Sequence, residues 1–222
     1  MNARKVVLFG TGDYARVASV YLAQDSPHEV AAFTVHEKYL TAPTLLGKPV
    51  VPFEELTRRY PPGEFAMLVA TGFKGVNGVR AELYRSCKGL GYEMIRYVCS
   101  KAVCWDEVEV GENSFVFESN VLQPFVKIGD NTVLWSGNHV GHDAVIGSHC
   151  FITSHAVISG NAKVGDYCFI GVNATVRDGV TVGEKSVIGA GAVVLKDVPP
   201  CSVLKGQAAE LSPVPSTRLR AI

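Results

Sequence analysis

The chain has 222 residues, with 21 Lys and Arg balancing 21 Asp and Glu, 47% hydrophobic residues and 19% charged ones. Zero formal charge removes the cationic field that gathers nucleic acid or anionic lipid, and no stretch approaches the ~20 uninterrupted apolar residues of a spanning helix. Neither nucleic acid nor membrane is expected as a partner. The amino terminus runs into Val6-Val7-Leu8-Phe9 with no secretory pattern, and the six cysteines show no C-x-x-C pairing. Both features point to the cytoplasm.

Residues 5 to 10 form an apolar run ending in glycine, and Asp13 to Gln24 follows with Val17, Ala18 and Tyr21 at helical spacing. Glu29 to Val35 predicts a second strand, Pro52 to Tyr60 a short helix, Phe65 to Thr71 a third strand and Val76 to Gly89 a helix. Tyr92 to Val98 suits a fourth strand. Strands alternating with helices imply a small parallel sheet whose ligands lie beyond the carboxyl ends of the strands. Two glycine loops occupy that edge: Gly10-Thr11-Gly12-Asp13-Tyr14-Ala15 and Thr71-Gly72-Phe73-Lys74-Gly75. A glycine turn opening a helix presents free N–H groups to a phosphate. It equally serves to pack a helix on a sheet. A dinucleotide is disfavoured, because the second strand ends in Thr34-Val35-His36 without the expected ribose-binding carboxylate, although Glu37 is near.

From Val110 the pattern changes. Stepping by six to Val194 gives fifteen residues that are all Val, Ile or Leu. Residues 110 to 199 hold 26 such residues, so any one of six registers would collect about four by chance. The next position is glycine in eight of the fifteen hexads, and the fifth is always compact. A six-residue period fits neither a helix nor a hairpin sheet, but it suits a solenoid of three short parallel strands per turn, in which residues 18 apart are vertical neighbours. Asn120 and Asn138 share such a column, so their amides are expected to hydrogen-bond along the stack. His139, His142, His149 and His155 fall at outward hexad positions, so solvent, a partner or a ligand meets each of them.

An unbroken hexapeptide repeat carrying Asn138-His139-Val140-Gly141-His142-Asp143, joined to a glycine-loop α/β domain, resembles the sialic acid O-acetyltransferases and the bacterial UDP- or GDP-amino-sugar N-acetyltransferases. The resemblance implies an α/β amino-terminal domain with a small parallel sheet over residues 1–100, a left-handed parallel β-helix over 101–199 and a carboxy-terminal tail over 200–222. It implies a homotrimer that takes acetyl-CoA as acyl donor and acetylates an amino group of a nucleotide-linked deoxy amino sugar, with no metal. Acetylation of a sugar hydroxyl is the alternative within the same fold.

By the same resemblance His142 is the general base, Asp143 its partner, and Gly160, one coil further on, lends its N–H to the thioester. An imidazole with intrinsic pKa near 6.5 is suited to taking the proton an attacking amine sheds. Val172, Ala190 and Lys196 match cofactor-binding positions, and Gly10, Thr11, Gly12, Tyr14, Gly72 and His139 are the candidates for the nucleotide sugar. Relatives carry histidine where this chain has Tyr14, an acid near Thr34 or Val35, and a second cofactor histidine where it has Phe151. Two different readings stay open: a zinc hydratase of the γ carbonic anhydrase kind, and a non-catalytic trimerisation module.

Overall fold

A computed structural model describes residues 3–218. The last four residues of the expected tail, 219–222, lie outside it. Strand β1 (Lys5–Phe9), helix α1 (Asp13–Asp25) and strand β2 (Glu29–Val35) open the chain. After them come the short β3 (Thr44–Leu45), β4 (Lys48–Pro52), α2 (Leu56–Arg59), β5 (Phe65–Val69) and α3 (Gly78–Gly89). The sheet order is β3-β4-β2-β1-β5, parallel except for the β3–β4 pair. β1 lies between β2 and β5, and Val6, Val7 and Leu8 are fully buried. Such continuous apolar runs are what a sheet covered on both faces requires.

One strand is not predicted and two expectations are corrected. The strand over Lys48–Pro52 was hidden by its prolines, Pro49 and Pro52, which break a strand pattern but are tolerated beside a sheet edge. Pro52 to Tyr60 is not one helix; a 3-10 turn, Phe53–Glu55, precedes α2. Tyr92 to Val98 adds no fourth strand in the expected place: Met94 touches the sheet through a single bridge to Met67, and Tyr97–Val98 pairs instead with Phe115–Val116. The Tyr97 N–H donates to Ser114 O at 2.9 Å, so the solenoid captures this segment as its first rung.

The solenoid runs from Tyr97–Val98 to Val203–Leu204 as two-residue parallel strands in three sheets. Registers advance by eighteen residues: His139 pairs with Val121 and with Val157. All fifteen aliphatic hexad starts and all fifteen compact fifth positions are less than 9% exposed. The interior is therefore a stack of Val, Ile and Leu spaced by Ala, Ser, Thr, Asn, Cys and Val. Asn120 and Asn138 hydrogen-bond along the stack as expected, with backbone groups of the next coil as partners. Their amides bond to the backbone, Asn120 Nδ2 to Phe117 O and Trp135 O at 2.9 Å, and Asn138 Oδ1 accepts from the Ala156 N–H at 2.8 Å.

The three outer faces differ. One presents Tyr97, Phe115, Val133, Phe151 and Phe169, with Phe117 and Trp135 beside them, and the α/β domain packs on it through Tyr14 and Tyr21. A second presents Glu109, Lys127, Val145, Lys163 and Thr181, with an ion pair between Lys127 and Glu109 at 3.0 Å. The third presents Val103, Val121, His139, Val157, Thr175 and Val193. These are called below the aromatic, charged and apolar faces.

Arg80 pins α3 to the solenoid corner. Fully buried, it donates to the backbone oxygens of Asn131, His149 (3.1 Å) and Cys150 (2.9 Å), while Asn77 Nδ2 bonds Tyr167 O and Cys168 O at 3.0 and 3.1 Å. No carboxylate accompanies the guanidinium among its hydrogen bonds, and burial lowers its pKa to about 10. Five donors in a rigid fork match the carbonyls that a solenoid corner leaves pointing outward.

Candidate active site

The first half of the site is a cleft of about 730 Å³ at the carboxyl ends of β1, β2 and β5. Gly10 sits at φ +127°, and a Cβ there would meet Ala70 O at 2.6 Å, so only glycine lets the two loops cross so closely. Gly12 caps the thirteen-residue α1 without a side-chain hydrogen bond, leaving the helix N-terminus open to the cleft that Gly10, Thr11, Gly12, Tyr14 and Gly72 line. Two buried hydroxyls of the lining, Tyr14 Oη and Thr71 Oγ1, have no hydrogen-bond partner among the described residues. Orphaned buried hydroxyls cost about 1–3 kcal/mol each, and a polar ligand relieves that cost. Tyr14 is 7% exposed, wedged against Phe115, Phe117, Trp135 and Phe151, and burial raises its phenol pKa.

A carboxylate from outside the cleft's lining meets the end of β2. Glu54, in the turn after β4, accepts from His36 Nδ1 at 2.8 Å and from the Glu37 N–H at 3.0 Å. These bonds, that to His36 foremost, hold its carboxyl below the usual range. His36 lines the cleft with its other ring nitrogen uncommitted.

The second half stands on the solenoid, along the corner between the apolar and charged faces. The column there is Pro124, His142, Gly160, Asp178 and Lys196, each eighteen residues from the next. Asp143 takes left-handed backbone (φ +58°), which short polar residues tolerate, and this turns its carboxylate onto His142 Nδ1 at 3.0 Å. A proton on Nδ1 leaves Nε2 with its lone pair free. The His142 N–H donates to Gln123 Oε1 at 2.8 Å, which anchors the backbone beneath the ring. Nε2 faces Gly160: a Cβ there would lie 2.8 Å from Nε2 and 3.3 Å from Asp178 Oδ1. The Gly160 N–H has no acceptor among the described residues.

Within one chain the remaining candidates are divided. His139 lies on the apolar face next to the His142 corner, and Lys196 is exposed two coils beyond Gly160. Val172 and Ala190 are exposed at the opposite corner, between the apolar and aromatic faces, and their N–H groups are also without acceptors among the described residues. His155 shares that opposite corner, stacked over Gly137, whose φ of +78° and missing side chain make room for the ring. His149 belongs to neither half. Its Nδ1 meets Asn131 Nδ2 at 2.9 Å, its ring lies between Tyr84 and Tyr167, and burial followed by the nearby Arg80 charge lowers its pKa. Gln123, Glu54 and Asp178 are not singled out by the sequence; two eighteen-residue steps from His142 are the available signal for Asp178. The described residues contain no group of three or more His, Cys, Asp or Glu placed to hold a metal ion.

Comparison with known proteins gives this geometry a context. The model of the bacterial transferase hexapeptide (six repeats) matches residues 125–160, and that of the hexapeptide repeat of succinyl-transferase matches 161–196. A variant of perosamine N-acetyltransferase from Caulobacter crescentus, solved with CoA and GDP-perosamine, is 30% identical over 91% of this chain and 93% of its own, with a TM-score of 0.82. The chain belongs to the left-handed β-helix nucleotide-sugar acetyltransferases. Within that family the acetyltransferase domain of PglB from Neisseria gonorrhoeae FA1090 is 25% identical, covering 91% of this chain and 97% of that one at a TM-score of 0.80. WeeI from Acinetobacter baumannii AYE, at 24% identity, 91% and 96% coverage and a TM-score of 0.78, shares the fold. No curated protein matches the chain. No described helix is long and apolar enough to cross a membrane.

Proposed function

We propose that this acetyltransferase moves the acetyl group of acetyl-CoA to the amino group of a nucleotide-linked deoxy amino sugar, with His142 as general base, and that it works as a homotrimer in the cytoplasm. One observation carries the reading: an imidazole fixed through Nδ1 by Asp143 aims Nε2 across a glycine whose N–H is unpaired. That constellation takes a proton from a nucleophile and offers a donor to a carbonyl oxygen gaining charge. The solved complex of the perosamine enzyme with CoA and GDP-perosamine supplies the substrate class.

Acetyl-CoA brings the acyl group as an activated thioester. Gly160 N–H, Val172 N–H and Ala190 N–H are the unpaired donors suited to it, and the exposed Lys196 suits a phosphate. The nucleotide fits the cleft: the open N-terminus of α1 favours the diphosphate, and the orphaned hydroxyls of Tyr14 and Thr71 with His36 provide polar contacts. His142 receives the amine proton on Nε2, and Asp143 stabilises the resulting imidazolium.

The division of the site supports association between copies of the chain. Val172 and Ala190 flank one edge of the apolar face, while His142 and Gly160 flank the other. Pairing that face with a second copy covers Val103 and Val193, 53% and 63% exposed, and brings the two edges together. The test mixes the protein with acetyl-CoA and a panel of GDP- and UDP-linked amino sugars and follows thiol release. His142→Asn is expected to lower kcat by about 10²–10⁴. Near-normal turnover in that variant removes the assigned base.

A further inference from the structure

Resting on the reading above, we propose that Asp178 is the residue that holds the acceptor's amino group, and that it makes this enzyme select an amine over a hydroxyl. Asp143 and Asp178 bracket the same imidazole from opposite sides. Asp143 is committed to Nδ1, at 3.0 Å. Asp178 stands on the Nε2 side, two coils above His142, with only Gly160 between them. Its Oδ1 and His142 Nε2 converge on one point over the Gly160 Cα, 3.3 and 2.8 Å away respectively. A nucleophile that surrenders a proton to Nε2 has to occupy the outer side of that point, within reach of both groups.

The fold does not use this carboxylate. Asp178 is exposed, and its side chain makes no hydrogen bond or ion pair among the described residues. The backbone around it is satisfied independently, Arg177 N–H by Val194 O and Gly179 N–H by Gly160 O, both at 3.0 Å. An unpaired carboxylate beside the base is suited to a cation. An aliphatic amine on a sugar is largely an ammonium near neutral pH and offers a charge-assisted hydrogen bond, roughly twice as strong as the neutral one a hydroxyl provides.

The proton balance accommodates both carboxylates. The ammonium first releases one proton through Asp178 to solvent, which frees the nitrogen lone pair. That pair forms the C–N bond to the acetyl carbon as the C–S bond breaks. The second nitrogen proton passes to His142 Nε2 and from there to the departing sulfur. The products are the amide, CoA as its thiol and one proton in solution.

The experiment compares the wild-type protein with Asp178→Asn, using GDP-perosamine, the analogous UDP-linked amino sugar, and for each the counterpart bearing a hydroxyl in place of the amine. Calorimetry reads binding, and thiol release reads turnover. In the wild type, the amine is expected to bind about tenfold more tightly than the hydroxyl counterpart. Asp178→Asn should abolish that preference and raise KM for the amine about tenfold, leaving KM for acetyl-CoA unchanged. His142→Asn should do the reverse, lowering kcat while keeping the preference. If no pair shows a preference for the amine in the wild type, or if the preference survives in Asp178→Asn, the inference is overturned. Absence of thiol release with every amino sugar instead overturns the proposed reaction, a separate readout from the binding preference.

Discussion

Gly160→Ala separates catalysis from stability. Gly160 does not have left-handed backbone, so alanine is conformationally acceptable there and should restrict the unfolded chain, a gain of about 0.4–1 kcal/mol. The added Cβ, however, would stand 2.8 Å from His142 Nε2 and 3.0 Å from Cε1. Normal carbon contacts are ~3.5–4 Å, so one partner has to move by most of an ångström. The backbone of residue 160 is held between Asn161 N–H on His142 O (2.9 Å) and Gly179 N–H on Gly160 O (3.0 Å), whereas the imidazole is 57% exposed and free to swing outward. The ring therefore yields. Displacing a general base by about 1 Å costs roughly 10²-fold, while its retreat to solvent costs the fold little. Calorimetric unfolding with steady-state kinetics on the same preparation tests this: kcat should fall about a hundredfold, with Tm unchanged or raised by about 1–4 °C. Undiminished turnover, or a Tm lowered by several degrees, would refute the placement of the imidazole over Gly160. Gly141→Ala is the contrast, because its Cβ would lie 2.4 Å from the Gly160 backbone nitrogen, which cannot yield without opening the ladder.

Arg80→Met keeps the bulk of the side chain but strips donors from the carbonyls of Asn131, His149 and Cys150; chemical denaturation should show a loss of about 2–4 kcal/mol. His149 has a folded pKa below its unfolded value, so the stability it contributes is full above pH ~6.5 and is lost as pH falls; His149→Phe should flatten the decline in Tm between pH 6.5 and 5. Glu54→Gln should raise KM for the nucleotide sugar several-fold with KM for acetyl-CoA unchanged, since it weakens the bond that orients His36 in the cleft. Co-folding His142→Asn with Gly72→Leu, where a new side chain meets nothing within 4 Å and enters the cleft, should restore about a quarter of wild-type turnover if each site draws its halves from two subunits. Two inactive variants that stay inactive when mixed would place both halves in one chain.

The solenoid was legible because every hexad repeats the same demand, an aliphatic inward and a compact residue beside it. A pattern of fifteen identical demands survives local exceptions such as Phe125, which is left-handed (φ +67°) and exposed. The α/β half offers no such redundancy. Its strand over Lys48–Pro52 exists because β2 supplies a parallel partner, and local propensity, read through two prolines, opposes it. The site was legible in the same proportion. His142, Asp143 and Gly160 are tied by one local contact and one eighteen-residue step. Glu54 meets His36 across a segment that holds β3 and β4, and Arg80 is buried only because the corner carbonyls of Asn131, His149 and Cys150 receive it. Neither has a periodicity to announce it. Phe115, Phe151 and Phe169 are separated by multiples of eighteen, and they mark the face that the amino-terminal domain covers.

On the proposed division of the site, the three faces account for why a single chain would not complete the chemistry. Each side of the prism spans about six residues, so the corners bounding the apolar face are on the order of 15–20 Å apart at the extended rise per residue. An imidazole reaches about 6 Å from its backbone. Its rung, moreover, is fixed by backbone bonds, with the His139 N–H on Ala156 O at 3.0 Å and Gly141 N–H on Ile158 O at 2.7 Å, so His142 is not carried across the face by any movement short of unfolding a coil. The aromatic face is already covered and the charged face is suited to water, which leaves the apolar face as the surface able to bring the corners together. Under the proposed function a second copy is the economical way to do so, because it presents the missing edge without any new sequence. On that reading, the rigidity of the rung that holds His142 is what makes association with a second copy necessary.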